Sequence, residues 1–328
     1  MSTVRYGRRL ALVLAVIAMS VSAPGWAQGA SWPARPIRML VPFPPGGAAD
    51  MMARYLGNGL AKRLNQAVVV ENVPGMGGVL SLRRLAHAPA DGYTIGLAHV
   101  GVLAISPHLY ASVGYDPLKD FAPIAQISEY ENVLVVNSKS PYRSLGDLLA
   151  AARAQPGVVS YGSAGNGSSN HLTGAMLSSM GGMSFNHIPY KGSAAALLGV
   201  MAGNVDFMFD VMNTSREPIR AGKLRALAMT GKKRSQEYPD VPTVAETIPG
   251  FAFEGWSAIV APAGTPRDIV QRVSTALQAI IQSPDGGEHL RAQGATPRYG
   301  APEVVDALIR RDLQKFGEVV RQSHVRID

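Results

Sequence analysis

Ile37-Arg38-Met39-Leu40-Val41-Pro42-Phe43-Pro44-Pro45-Gly46-Gly47-Ala48-Ala49-Asp50 is the stretch that sets the fold. Four of its first five residues are apolar and the run stops at a proline, the pattern of a buried strand. Two prolines and two glycines then make a stiff, tight loop, and a helical pattern follows from Ala48 to about Leu64. The same order returns at once. Ala67 to Val70 is a β-branched run, Asn72-Val73-Pro74-Gly75-Met76-Gly77-Gly78 is a second glycine-rich loop, and a helix is expected from Val79 to Ala86. A turn at Asp91-Gly92 leads into a strand from Tyr93 to Ala98. This strand–helix–strand rhythm predicts an α/β fold with a mainly parallel sheet covered on both faces.

The rhythm changes near Phe121. Phe121 to Ser128 and Asn132 to Val136 are two extended segments with a short polar break, read as the end of one domain and the first strand of the next. A second series follows, with a helix at Leu145 to Ala154, a strand at Val158 to Tyr161 and the loop Gly162 to Asn170. Phe253 to Val260 is a return strand. Ile269, Val270, Val273, Ala276, Leu277, Ile280 and Ile281 make a helical face, and a last amphipathic helix runs from about Pro302 to Arg321. The expected organisation is two lobes, 28–130 plus 252–328 and the inserted 131–251, joined by two chain crossings that suit a hinged cleft.

Composition narrows the function classes. Charged residues are 16% and apolar residues 47% of 328, so a sizeable core is expected and wholesale disorder is not. Cysteine is absent, which excludes disulfides, cysteine-ligated metals and a thiol nucleophile. The net charge of +8 is partly removable. Arg5, Arg8 and Arg9 precede an apolar stretch of twelve residues, Leu10 to Val21, and Gly25-Trp26-Ala27 offers a small–x–small cleavage site. That is the form of an export signal covering 1–27, too short to span a bilayer. Its removal leaves 28 basic against 23 acidic side chains, scattered apart from Lys232-Lys233-Arg234, so no nucleic-acid partner is expected. The mature protein is expected to be exported and soluble.

Catalytic motifs are not found. The seven histidines include no pair at four-residue spacing, no serine sits in a Gly-x-Ser-x-Gly elbow, and Gly165-Asn166-Gly167 lacks the third glycine of a dinucleotide fingerprint. No metal and no cofactor are expected. Carboxylate acid/base chemistry stays open, because spatial pairs do not show in one sequence. What stands out instead is the glycine-rich loops between a strand and a following helix. Glycine allows close approach of backbone to ligand, and a helix N-terminus directs unpaired N–H groups outward, so a carboxylate can be held without a basic side chain. Phe43 to Asp50 and Gly162 to His171 are the two principal loops; Asn72 to Gly78 suits packing at least as well. His171 reads as a packing or capping histidine. Tyr190-Lys191-Gly192 approaches the cleft on this reading, and Asp206 either anchors a ligand amine or caps a turn.

The ordered set Val41-Pro42-Phe43, Pro45-Gly46-Gly47, Asp50, Gly75, Gly77-Gly78, Ala90-Asp91-Gly92-Tyr93-Thr94, Tyr115-Asp116-Pro117, Tyr161-Gly162-Ser163, Gly167-Ser168, Pro189-Tyr190-Lys191-Gly192, Val205-Asp206, Val241-Pro242-Thr243 and Trp256 carries a resemblance. With it the chain resembles the tripartite tricarboxylate transporter substrate-binding receptors, the Bug proteins of Gram-negative periplasms, over essentially all of its mature length. The resemblance implies a two-lobed periplasmic-binding-protein fold, type II-like, closing over a small carboxylated solute. That solute is an amino acid, a di- or tricarboxylate or an aromatic carboxylate, and a membrane permease is the transient partner. It implies a periplasmic monomer that is a receptor rather than an enzyme. Ligand contacts fall on Phe43, Pro44, Gly46, Gly47 and Ala48 from one lobe and on Gly165, Asn166, Gly167, Ser168 and Ser169 from the other. His99, Tyr190 and Asp206 shape the rest. Many members carry Ser or Thr after the paired glycines, where this chain has Ala48-Ala49, a change that favours a more apolar ligand. The rivals are a periplasmic carboxylate-dependent hydrolase or isomerase, and a ligand sensor for a membrane kinase.

Overall fold

The structure is a computed structural model that describes residues 32–323 apart from 237; the expected export signal, 1–27, lies outside the described residues. Trp32–Ala34, with a cis Trp32–Pro33 bond, are the described end of a first unit, and the chain from Arg35 onward forms a second. That unit opens with β1 (Ile37–Val41), α1 (Ala48–Leu64), β2 (Val68–Asn72), a 3₁₀ turn at Met76–Gly78, α2 (Val79–Ala86) and β3 (Thr94–His99). A π-turn at Gly101–Ile105 leads into the short α3 (Ser106–Leu109), and then comes β4 (Phe121–Asn137). The second series is α4 (Leu145–Ala154), β5 (Ser160–Ser163), α5 (Ser169–Gly181), β6 (Asn186–Pro189), α6 (Ser193–Ala202), β7 (Phe207–Val211), α7 (Met212–Arg220) and β8 (Leu224–Met229). The chain closes with β9 (Glu254–Pro262), α8 (Arg267–Ile281), α9 (Pro284–Ala292), β10 (Thr296–Gly300) and α10 (Pro302–Ser323).

Strand order is β2-β1-β3-β9-β4-β7-β5-β6, with β8 and β10 also pairing with β4. The pairs made by strand–helix–strand crossovers, β1 with β2 and β3, and β5 with β6 and β7, are parallel. Every pair made by β4 or β9 is antiparallel. The sheet is therefore mixed, a finer picture than a mainly parallel sheet, because β9 returns to the first half of the sheet after the second half is complete.

β4 also corrects the expected break. It is one strand of 17 residues, and the polar Glu129-Tyr130-Glu131 stays extended because it pairs with Trp256, Gly255 and Glu254 of β9. Gly255 makes room for the Tyr130 ring, which occupies the place where a Cβ would stand. The first half of β4 lies beside β9 and β10 and the second half beside β7 and β8, so one strand runs through both halves of the sheet.

Local signals explain the helix ends. α1 stops at Asn65, which takes the left-handed conformation (φ 52°) that terminates helices. α4 starts with a capping box between Ser144 and Asp147. α10 is tied to the sheet by the buried Trp256, whose Nε1–H donates to Asp312 Oδ2 at 2.7 Å. The aromatic residues Phe207, Phe209, Phe251, Phe253 and Phe316 are fully buried around it and along β7.

Candidate functional site

The loops that follow β1, β2, β5 and β6, together with the chain after α3, surround one cavity of about 770 Å³. These loops lie at the carboxyl ends of parallel strands, where α/β sheets bind ligands. One wall is Pro42-Phe43-Pro44, with Pro74-Gly75-Met76-Gly77-Gly78 and Tyr110-Ala111-Ser112 beside it. The other wall is Ala164-Gly165-Asn166 and Pro189-Tyr190-Lys191-Gly192.

The first loop is shaped by Asp50, whose side chain is almost fully buried. Its Oδ2 accepts from the Gly46 N–H (3.0 Å) and from Arg54 Nε (2.9 Å), and its Oδ1 accepts from Asn72 Nδ2 (3.0 Å). Asn72 Nδ2 also donates to the Phe43 carbonyl at 2.9 Å, so one carboxylate and one amide hold both ends of the loop. Burial pushes the Asp50 carboxyl up, but the hydrogen bonds from Arg54, Gly46 and Asn72 outweigh it and keep the group below the usual carboxylate range.

The loop after β5 is held from within. The Gly165 N–H donates to Ser163 Oγ (3.1 Å), the Ser168 N–H to the Gly165 carbonyl (3.1 Å) and the Gly167 N–H to His171 Nδ1 (3.2 Å). Ser168 Oγ caps α5 by accepting from the His171 N–H. The first turns of α5 are sealed into the sheet: Asn170 Nδ2 donates to the Phe209 carbonyl, and Asn132 Nδ2 donates to Thr173 Oγ1.

His171 stacks on His187 with ring centroids 4.0 Å apart, and Tyr161 stacks on His187 at 4.8 Å. Burial, and then the neighbouring His187, bring His171 down to about 3; burial brings His187 to about 4. Both rings are therefore neutral near pH 7, which leaves His171 Nδ1 free to accept from Gly167.

The two walls touch. The Tyr110 hydroxyl donates to the Asn166 carbonyl at 3.0 Å. A Cβ on Gly77 would lie 2.5 Å from the same carbonyl oxygen, and one on Gly167 would lie 2.9 Å from Ser106 Oγ and 3.1 Å from the Tyr110 ring. Both glycines have positive φ (63° and 79°) and stand where backbone meets backbone or ring.

Of the residues expected at the site, Phe43, Pro44, Gly165, Asn166 and Tyr190 line the cavity. Gly46, Gly47 and Ala48 form the end of the first loop and the start of α1, behind that lining. Gly167, Ser168 and Ser169 are buried beneath it, in the wall contact and the cap of α5. His99 is buried under Phe43, with ring centroids 5.2 Å apart. Its Nδ1 accepts from the Gly101 N–H, while Nε2 faces the Gly77–Gly78 backbone without reaching hydrogen-bond geometry. Burial lowers it to about 4, with the Gly77 backbone pulling the other way. Asp206 sits at the other end of β5, accepting from the N–H and Oγ of Ser160, both at 2.8 Å.

Sequence reasoning did not single out Met76, Tyr110 or Ser112 as lining residues. The paired glycines Gly77-Gly78 were the signal for the first. Tyr110 and Ser112 follow a π-turn with no local signature. No group of three or more acidic or histidine side chains that suits a metal occurs among the described residues, and no helix among them is long and apolar enough to cross a membrane.

Residues 52–325 match the profile described as "Tripartite tricarboxylate transporter family receptor". The chain belongs to this family of solute-binding receptors. Protein BugT of Bordetella pertussis is 38% identical over 320 residues, covering 96% of this chain and 98% of BugT. Among solved structures, R. palustris Rpa4515 with adipate has a TM-score of 0.85 at 33% identity, covering 90% of this chain and 99% of the other. The periplasmic binding protein BugD has a TM-score of 0.84 at 32% identity, with 90% and 99% covered. The fold is thus that of the periplasmic solute-binding proteins, and the family members are receptors, not enzymes.

Proposed function

We propose that this receptor captures a small carboxylated solute in the cavity between two lobes, 28–130 plus 252–328 and 131–251, and hands it to a tripartite tricarboxylate-type permease. The carrying observation is that a single cavity draws its walls from loops of both halves of the sheet, and that these walls meet through Tyr110 and Asn166. A ligand touching both walls binds the closed arrangement better than an open one, so it shifts the population toward closure. The carboxylate contacts fall where these loops line the cavity, at Phe43, Pro44, Gly165 and Asn166, with Tyr190 beside them and the buried His99 supporting Phe43. The adipate bound to Rpa4515 supports a carboxylate as ligand. On this reading the 1–27 segment is an export signal, and the mature receptor works in the periplasm as a monomer.

The test is native mass spectrometry of the freshly purified mature protein, followed by thermal shifts against a broad panel of carboxylates. A retained acid, or a stabilising one returned unchanged, is expected. Ligand at a hundred times its dissociation constant adds about 2.7 kcal/mol. Turnover of any panel member into product, or a panel without a single binder, counts against the reading.

A further inference from the structure

We propose, resting on the receptor reading above, that the cavity selects a monocarboxylate with an apolar or aromatic body and discriminates against amino acids and against di- and tricarboxylates. The wall chemistry points there first. Phe43, Met76, Tyr110 and Tyr190 supply large apolar or aromatic surface to the cavity, supported by prolines from three of its loops. Such surface rewards an apolar ligand body.

The charge of the wall points the same way. Lys191, exposed at the rim, is the one charged side chain that lines the cavity among the described residues. Among the described residues no carboxylate lines it, so a ligand ammonium would be stripped of water without a counter-charge. The two acidic residues that the sequence tied to the site are engaged elsewhere: Asp50 holds Gly46, Arg54 and Asn72 behind the first loop, and Asp206 holds Ser160 at the far end of β5.

The supply of donors is also limited. In the loop after β5, the N–H groups of Gly165, Gly167 and Ser168 are already bonded inside the protein. The Tyr110 hydroxyl proton is committed to Asn166. Lys191 is the one cation on the lining, and with the Asn166 amide and the Ser112 hydroxyl it makes a set that fits one carboxylate. A second carboxylate would be desolvated against Phe43 and Met76 with no cation beside it.

The deciding experiment is isothermal titration calorimetry of the mature protein at pH 7.5 with two sets of probes. Benzoate, phenylacetate and hexanoate form the first set; adipate, malate, citrate and glutamate form the second. At least one member of the first set is expected to bind ten times more tightly than every member of the second. Tighter binding of any second-set acid overturns the inference and leaves the receptor reading standing, whereas silence from both sets overturns both. Two variants probe the wall directly. Lys191→Met is expected to weaken the best monocarboxylate about tenfold, and Met76→Lys to raise adipate affinity relative to benzoate at least threefold. Unchanged ratios in both variants, with circular dichroism showing both folded, would remove the assigned roles and the proposal with them.

Discussion

The hydroxyl of Tyr110 donates to the backbone carbonyl of Asn166, 3.0 Å away, across the line where the two cavity walls meet. On the proposed receptor reading the walls part when the ligand leaves, so the free energy of this bond belongs to closure and not to either half alone. Tyr110→Phe keeps the ring that packs on Gly167 and removes the donor, leaving a half-buried carbonyl to find water. A single hydrogen bond is worth about 1 kcal/mol net, which predicts ligand affinity about fivefold weaker with little change in the unfolding temperature of the unliganded protein. Titration calorimetry on the variant and the parent checks this, and unchanged affinity would show that the latch contributes nothing.

Gly77 makes the same closure steric. Its φ of 63° and the Asn166 oxygen 2.5 Å from a would-be Cβ both exclude a side chain when the walls touch. Gly77→Ala adds about 1 kcal/mol of backbone strain and, separately, a collision that only the closed form suffers. Gly203, at the end of α6, is the control: its φ is 77° but nothing lies within 4 Å of a Cβ there, and it is not part of the cavity lining. The two variants are expected to lose similar stability, while Gly77→Ala alone loses more than tenfold in affinity and shows a larger radius of gyration in the presence of ligand by X-ray scattering. Equal affinities would contradict a wall contact at Gly77.

These two positions also show how far the sequence could be read. β1, the loop through Gly47 and the whole of α1 follow from one local stretch, because proline, glycine and a 3.6-residue apolar period act on neighbours in sequence. Asp206, read as an anchor for a ligand amine or a turn cap, accepts from the N–H and Oγ of Ser160, and His171 is the capping and packing histidine that its place at a helix start suggests. The continuity of β4 was hidden because Glu129-Tyr130-Glu131 is polar, and its extended form is imposed by β9, which arrives more than a hundred residues later. Tyr110 was hidden for the same reason: its partner is a backbone carbonyl 56 residues away, and backbone partners leave no mark in sequence.

Asp50 is the buried keystone of the first loop, and its removal is expected to cost both stability and binding. Asp50→Asn keeps the volume but turns one acceptor oxygen into a donor facing Gly46 N–H, Arg54 or Asn72. Losing charge-assisted bonds and opposing donor to donor costs about 2–3 kcal/mol, read as a lower denaturant midpoint at unchanged slope. Asn72→Ala releases the Phe43 carbonyl as well and is expected to cost less, since the Gly46 and Arg54 bonds survive. A variant at position 50 with parental stability would show that the loop holds its own shape.

Acidification should destabilise the protein through its buried histidines. His99 and His187 sit at about 4 and His171 at about 3, all below the usual histidine value of 6.5. As pH falls below 6.5 the unfolded chain takes up protons that the folded chain refuses, so stability present at neutral pH is lost progressively down to the folded values. Between pH 6.5 and 5 each such group removes about 2 kcal/mol. Asp210 works in the opposite sense, because burial raises it to about 6 and protonation then favours the folded form, offsetting about 1 kcal/mol over the same interval. The net expectation is a falling unfolding temperature from pH 6.5 to 5, with the Gly167–His171 bond lost once the ring is charged. His187→Phe preserves the stack on His171 and removes one titrating group, so its stability should fall less steeply over that interval than the parent's. A flat profile in the parent, or an equal slope in the variant, would place the proton uptake elsewhere.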